Sequence, residues 1–303
     1  MLKKENGNRS DYQNYIPAFV FSSLCLIWSS TWMVIKIGLW SLPPFLAAGI
    51  RFFIAFLFLS LYASLLKFRF PKGQKTHFFF IWFGIINFTG GYALVYWGEN
   101  YISSGLASVL FSVMPFYVLI LSIWLLPQEK LSIKKVLGVM LGFIGLIIIF
   151  SDQLSLKELN STHLYGMVAV LIAPLFSSLG TIAGKKASNN YHPITLVTLP
   201  MFYASLSFFG LSILFERNTQ PIFDFMAIFS ILYLALFGTA IAFVLFFWML
   251  RNTSAVLMSM ITFVTPPVAL LWGWFILDEH ITYLLVLGLA AILIGIFIVK
   301  KPE

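Results

Sequence analysis

The chain has 303 residues, of which 60% are hydrophobic, 18% aromatic and only 10% charged, with a mean hydropathy of +0.94. No soluble domain of this size hides so much apolar surface, so the solvent for most of the chain is lipid. The net charge of +8 falls in alternate connections rather than in one patch, which excludes a nucleic-acid surface, and the single Cys25 excludes an internal disulfide.

Ten apolar runs occur, at approximately 17–38, 44–66, 78–97, 103–126, 133–150, 165–184, 193–215, 225–249, 254–277 and 283–299. Each has about the 17 to 25 residues that a helix needs to cross ~30 Å of hydrocarbon. Continuous rather than alternating apolarity selects helices, because lipid offers no partner to an open backbone. The sixteen residues before Pro17 are polar. The run behind them is too long for a signal-peptide core and has no small-residue cleavage site, so it reads as a retained first helix.

The first helix holds a small polar patch, Ser29, Ser30 and Thr31, between Trp28 and Trp32, and Lys36 near its end. Pro43 and Pro44 form a tight turn and start the second helix. There, Arg51 is a charge inside a span, read first as a snorkel or ion pair because it lies only about two turns from the boundary. The third helix carries Asn87, Thr89, Gly90, Gly91, Tyr92 and Tyr96, with Glu99 at its outer end. Sidedness puts Lys36, Arg51 and Glu99 together and predicts an ion-pair cluster. Pro115 interrupts the fourth helix and Pro266 with Pro267 the ninth. The fifth and tenth helices carry small residues at packing spacing, Gly138 with Gly142 and Ala291 with Gly295. The sixth has Ser177, Ser178, Gly180 and Thr181 with an internal Pro174. The seventh has Pro200 and Tyr203, the eighth Thr239 and the ninth Thr262.

With connections numbered alternately, the N-terminal side holds fifteen Lys and Arg residues, from Lys3 to Lys301, against Lys157 and Arg217 on the other. That asymmetry predicts cytoplasmic termini in a multi-pass protein of the cell membrane.

The halves repeat. A shift of 151 puts Trp97 on Trp248, Ser103 on Ser254, Ser108 on Ser259 and Pro115 on Pro266. A shift of 150 puts Glu129 on Glu279, Gly138 on Gly288 and Gly145 on Gly295, and one of 149 puts Ser29 on Ser178, Lys36 on Lys185 and Pro44 on Pro193. A nearly constant offset is the signature of a duplicated unit. Five spans per copy is an odd number, so the copies enter the membrane from opposite faces. The expected fold is all-α: ten transmembrane helices as two inverted five-helix repeats around a central cavity, with repeats at 17–150 and 165–300, a cytoplasmic segment at 1–16 and an outer linker at 151–164. Matched interrupted helices in such an arrangement point to a transporter's binding region.

The runs WSSTWMVIKIGL and LPPFLAAGIRF, the segment YWGENYISSGLASVLFSVMP, and TPPVALLWGWFILDEHIT followed by LGLAAILIG resemble the drug/metabolite transporter superfamily, and within it the EamA-type ten-helix exporters. The resemblance covers about Ile27 to Ile298. It implies a basket of two inverted repeats, lined by helices one, three, four, six, eight and nine, that exports amino acids, other small metabolites or toxic compounds. It places Trp28 and Ser29, Tyr96, Glu99 and Gly105 in motif positions, Pro115 and Pro266 at mid-helix prolines, and Glu129 and Glu279 before the fifth and tenth helices. The side chains expected to meet substrate are Trp28, Ser29, Asn87, Tyr92, Tyr96, Glu99, Ser178, Thr181, Thr239 and Thr262, with Pro115 and Pro266 as gating positions.

The expected cargo is a neutral, zwitterionic or amphipathic small molecule, exported by alternating access. A channel or lipid scramblase is the alternative reading. A membrane enzyme is disfavoured, since Asp11, Asp152, Asp224 and Asp278 and the four histidines are scattered near loops and form no metal box. No cofactor, metal or nucleic acid is expected; the partners are the substrate and the bilayer, with self-association left open.

Overall fold

The computed structural model describes residues 6–128, 132–150, 161–277 and 283–300. Glu129, Glu279, Asp278 and most of the expected linker at 151–164 lie outside the described residues. Every regular element among the described residues is helical. Seven helical stretches there are long and apolar enough to cross a membrane: Ile16–Gly38, Pro44–Leu65, Gln74–Gly98, Ser104–Leu125, Ser161–Ala187, Pro193–Phe215 and Phe225–Asn252. Ala255–Ala269 and Val286–Lys300 are shorter apolar helices.

Helix α1 (Asn6–Gly38) begins eleven residues earlier than its apolar run, with Pro17 inside it. Proline frees one carbonyl of the preceding turn, and outside the bilayer water can take that bond. Pro44 starts α2 (Pro44–Leu65) and Pro193 starts α9 (Pro193–Phe215), both at the first turn, where proline leaves no further donor unpaired. The N-terminus of α2 is closed from across the fold: Glu216 accepts the backbone N–H groups of Phe45 at 2.7 Å and Leu46 at 3.0 Å, a carboxylate on the positive end of a helix dipole.

The third run is not one regular helix. It comprises α3 (Gln74–Phe83), a π-helical segment Gly84–Gly90, and α4 (Gly91–Gly98). The eighth run repeats this as α10 (Phe225–Tyr233), a second π segment Leu234–Ile241, and α11 (Ala242–Asn252). Such wide turns leave backbone groups that other elements must satisfy, and they concentrate at functional sites.

The fourth run breaks into α5 (Ser104–Phe111) and α6 (Met114–Leu125), with Pro115 in the first turn of α6. The ninth run breaks at Met260 between α12 (Ala255–Ser259) and α13 (Ile261–Leu277), so Pro266 and Pro267 lie inside α13 rather than at its interruption. The carbonyl that Pro266 cannot bond belongs to Thr262, and it accepts the Ser112 hydroxyl at 2.5 Å from the break of the other half. Ser103 and Ser254, matched by the repeat, both cap these helices by accepting a backbone N–H, from Leu106 at 3.3 Å and Leu257 at 3.2 Å.

Matched helices pack on one another. α7 (Ile133–Phe150) and α14 (Tyr283–Lys300) run antiparallel: Gly138 faces Gly295 and Gly145 faces Gly288, and a Cβ at Gly145 would lie 2.5 Å from the Gly288 carbonyl oxygen. Only glycines let two backbones approach so closely. α2 and α9 are likewise antiparallel, with Phe45 against Phe215, Phe53 against Phe209 and Phe56 against Phe202. Further contacts cross between halves in reciprocal fashion. α8 (Ser161–Ala187) packs on α6 and the first π segment, and α1 packs on α13 and the second. A side chain at Gly180 of α8 would meet Asn87 of the first π segment, and one at Gly238 of the second π segment would meet Thr31 of α1 at 2.8 Å.

Candidate functional site

The crossing of α1, α8, the two π-containing runs and the two broken helices encloses a cavity of about 90 Å³ open to water-sized molecules. Its wall is aromatic: Trp28 and Trp32 from α1, Tyr92 from α4, Phe111 from α5, and Phe243 and Phe246 from α11. The rings brace one another. Trp28 lies 5.4 Å from Phe243 and 5.5 Å from Phe246, and Trp32 lies 5.4 Å from Phe111, all tilted or edge-on, as ring quadrupoles prefer. Met114, Met258 and Ile261, beside the two helix breaks, line it as well.

Polar atoms are few and of one kind. Thr31 donates to the Trp28 carbonyl at 2.8 Å, Thr181 to Ser177 at 2.9 Å, Thr262 to Ser259 at 2.9 Å and Thr265 to Thr262 at 3.3 Å. Each of these four threonine protons is thus taken by its own helix, which leaves oxygen lone pairs to the cavity. Asn87 is the exception. It is 5% exposed, and its Nδ2 has no hydrogen-bond partner among the described residues. A buried amide donor without an acceptor costs about 1–3 kcal/mol, so a ligand oxygen placed there is favoured.

Of the residues expected to meet substrate, Trp28, Asn87, Tyr92, Thr181 and Thr262 line this cavity. Ser29 donates to Leu26, and Ser178 to Pro174 at 2.6 Å and Met114 at 3.4 Å, so both bind backbone behind the wall. Pro115 is buried beside the lining residue Met114, and Pro266 follows the lining residue Thr265.

Tyr96, Thr239 and Glu99 belong instead to a buried cluster around Arg51. Arg51 is 1% exposed and does not snorkel. Its Nε donates to Thr239 at 2.6 Å, Nη1 to Tyr96 at 3.2 Å and Nη2 to the Gly238 carbonyl at 3.4 Å, and its guanidinium lies 4.8 Å from the Tyr92 ring centre. Widened winding of the second π segment is what presents the Gly238 carbonyl, and Trp28 Nε1 donates to that same oxygen at 3.2 Å. The expected ion-pair cluster takes a different form. Lys36 donates to the backbone carbonyls of Glu99 and Ile102, and neither Glu99 carboxylate oxygen has a hydrogen-bond partner among the described residues.

Among the lining residues not singled out from the sequence, Phe243 was reachable. The shift of 151 carries Tyr92 onto it, and the two rings meet at 6.2 Å. Phe246 and Phe111 carry no comparable signal, because aromatic residues crowd every span. Among the described residues, no group of three or more His, Cys, Asp or Glu could hold a metal ion.

The sequence pattern of the EamA-like transporter family matches residues 16–151 and again 164–300. The chain is 30% identical over 277 residues to an uncharacterized transporter, YoaV, of Bacillus subtilis, covering 91% of this chain and 93% of that one. It is 29% identical over 283 residues to the protein PagO of Salmonella typhimurium, covering 93% and 91%. A solved crystal structure superposes with a TM-score of 0.77 at 16% identity, covering 94% of this chain and 96% of that one; the likeness is one of fold.

Proposed function

The chain belongs to the EamA-like transporter family, and from that premise we propose that it is an alternating-access carrier exporting a small metabolite across the cell membrane. The cargo is an amino acid or a similar neutral, zwitterionic or amphipathic compound. The observation that carries this reading is the cavity, whose walls come from both halves of the chain and combine aromatic faces with hydroxyl oxygens and the Asn87 amide. Such a lining holds an apolar body and one or two polar groups without fixing a charge, weakly enough for release.

Antiparallel packing of α7 on α14 and of α2 on α9 supports ten spans in two inverted repeats, at 17–150 and 165–300, because duplicated helices that run in opposite directions are related by an axis in the membrane plane. Such a pair has two similar conformations, each opening the shared cavity to one side. The fifteen-to-two distribution of basic residues supports cytoplasmic termini. The helix breaks beside Met114 and Ile261 lie on two walls of the cavity, which supports a gating role for the segments around Pro115 and Pro266.

The experiment is a counterflow panel: liposomes holding the purified protein and one unlabelled metabolite each, with uptake of the labelled form followed in time. A carrier gives saturable accumulation for a small set of compounds. Flux linear in concentration and without counterflow would identify a channel instead.

A further inference from the structure

Duplication provides an internal control for every buried polar residue. What both halves carry belongs to the scaffold, and what one half lacks is not demanded by the fold. Lys36 donates to the carbonyls of Glu99 and Ile102, and Lys185 donates to those of Leu250 at 2.8 Å and Thr253 at 2.9 Å. A shift of 149 carries Lys36 to Lys185, and a shift of 151 carries Glu99 to Leu250 and Ile102 to Thr253. Each lysine therefore closes the orphaned carbonyls at one helix C-terminus, of α4 and of α11. These caps are scaffold.

The side chains around the first cap are not. The same shifts carry Arg51 to Pro200, Tyr92 to Phe243, Tyr96 to Phe247 and Glu99 to Leu250, and Phe247 and Leu250 are buried apolar core. Four matched positions are thus polar in the first half and apolar in the second. Burying an ion costs several kcal/mol before compensation. The second half shows that packing does not require that cost.

Glu99 is completely buried, and both of its carboxylate oxygens lack hydrogen-bond partners among the described residues, while the neighbouring cations direct their protons to neutral oxygens. Among the described residues, the titratable or charged groups around it are Lys36 on α1, Arg51 on α2, Tyr92 and Tyr96 on α4, and Tyr101, which packs on Gly166. On α8, which packs against Gly98 through Gly166, His163 and the exposed Tyr165 stand near the same end. α2, α4 and α8 contain no acid of their own. A metal ion needs several oxygen ligands and would be repelled by two flanking cations. A proton needs one oxygen.

We propose that Glu99 is a proton-binding site that couples transport to proton movement, with Arg51 as its positioning partner. This rests on the carrier reading. The arrangement described, a carboxyl group without donors beside an arginine bonded to Thr239, Tyr96 and Gly238, is that of the neutral acid. Loss of the proton draws the Arg51 guanidinium toward the carboxylate and away from the Gly238 carbonyl. That carbonyl also holds Trp28 on the cavity wall, and Tyr92 both lies under Arg51 and lines the cavity. Charge at Glu99 therefore reaches the cavity through one carbonyl and one ring.

Infrared difference spectra of the full chain in lipid nanodiscs, acid against alkaline, are expected to show a protonated-carboxyl band that Glu99→Gln removes and Glu216→Gln leaves. In liposomes, with whichever compound shows counterflow, a pH difference is expected to accelerate exchange. Glu99→Gln, which preserves shape, should lose that acceleration, whereas Glu216→Gln should keep it. Survival of the band or of the acceleration in Glu99→Gln overturns the proposal. If no compound shows counterflow, the carrier reading fails, and the infrared spectra, which need no substrate, decide the proton site alone. If Glu99→Gln does not fold, Glu99→Asp decides it: a shifted band midpoint supports the site, and an unchanged one rejects it.

Discussion

Tyr92 and Tyr96 stand one turn apart on α4 and meet different surroundings. Tyr92 forms cavity wall, whereas Tyr96 is buried behind it and accepts the Arg51 Nη1 proton at 3.2 Å. Alanine at Tyr92 is expected to change which compounds exchange in the counterflow panel. Tyr96→Phe removes an acceptor for a charged donor, and should cost about 1.5–3 kcal/mol of stability, read by thermal unfolding, with less effect on selectivity. Equal selectivity changes in both would contradict that division. Outside the spans, the Asp224 carboxylate accepts from the Ser41 hydroxyl at 2.5 Å and the Ala227 N–H at 2.7 Å, which together hold its pKa below the ordinary 3.8. A depressed folded value stabilises fully above 3.8 and loses that contribution as pH falls through the lower value. The stability gap between wild type and Ser41→Ala is therefore expected to be present at neutral pH and to close below 3.8.

Glycines decide the contact between α7 and α14. With the Gly145 and Gly288 backbones touching, Gly145→Leu must push the helices apart and should cost at least about 1–3 kcal/mol, visible as a lower melting temperature or loss of monodispersity. Gly105→Leu and Gly210→Leu are the controls, since a Cβ at either meets nothing within 4 Å, and both should be tolerated. The small-residue spacing of these two helices was legible in the sequence, because glycine in an apolar run has few uses other than close approach. Which glycines meet was not, since that depends on the direction and rotation of the partner helix. The π segments escaped the sequence: Gly84–Gly90 and Leu234–Ile241 lie within mostly apolar runs, and hydropathy does not distinguish five-residue from four-residue backbone bonding.

At the scale of the molecule, the proposed inversion has a consequence for sidedness. In a Cys25→Ser background, a membrane-impermeant thiol reagent added to intact cells should label Arg217→Cys and leave Lys186→Cys unlabelled until the membrane is opened. Both positions are exposed, and they flank the two ends of α9, so a span there puts them on opposite faces. Labelling of both from one side would remove α9 as a span, and with it the odd count of five spans per half on which the proposed inversion depends. The proposed inversion would set the capping lysines Lys36 and Lys185 at opposite ends of the fold; each closes a helix end that lipid could not satisfy.

From composition and offset alone, the sequence determined that this chain lives in lipid, that its elements are helices, and that it is built from two related halves. These properties follow from hydrophobicity and spacing, which are local or additive along the chain. Only the tertiary structure decided that Arg51 turns inward to Thr239, Tyr96 and Gly238 rather than snorkelling, that Ser29 and Ser178 face backbone, and that Phe243 and Phe246 join Trp28 around the cavity. Each depends on how far one helix is rotated about its axis against another. In a chain apolar on all sides, no amphipathic stripe records that angle, and packing alone sets it.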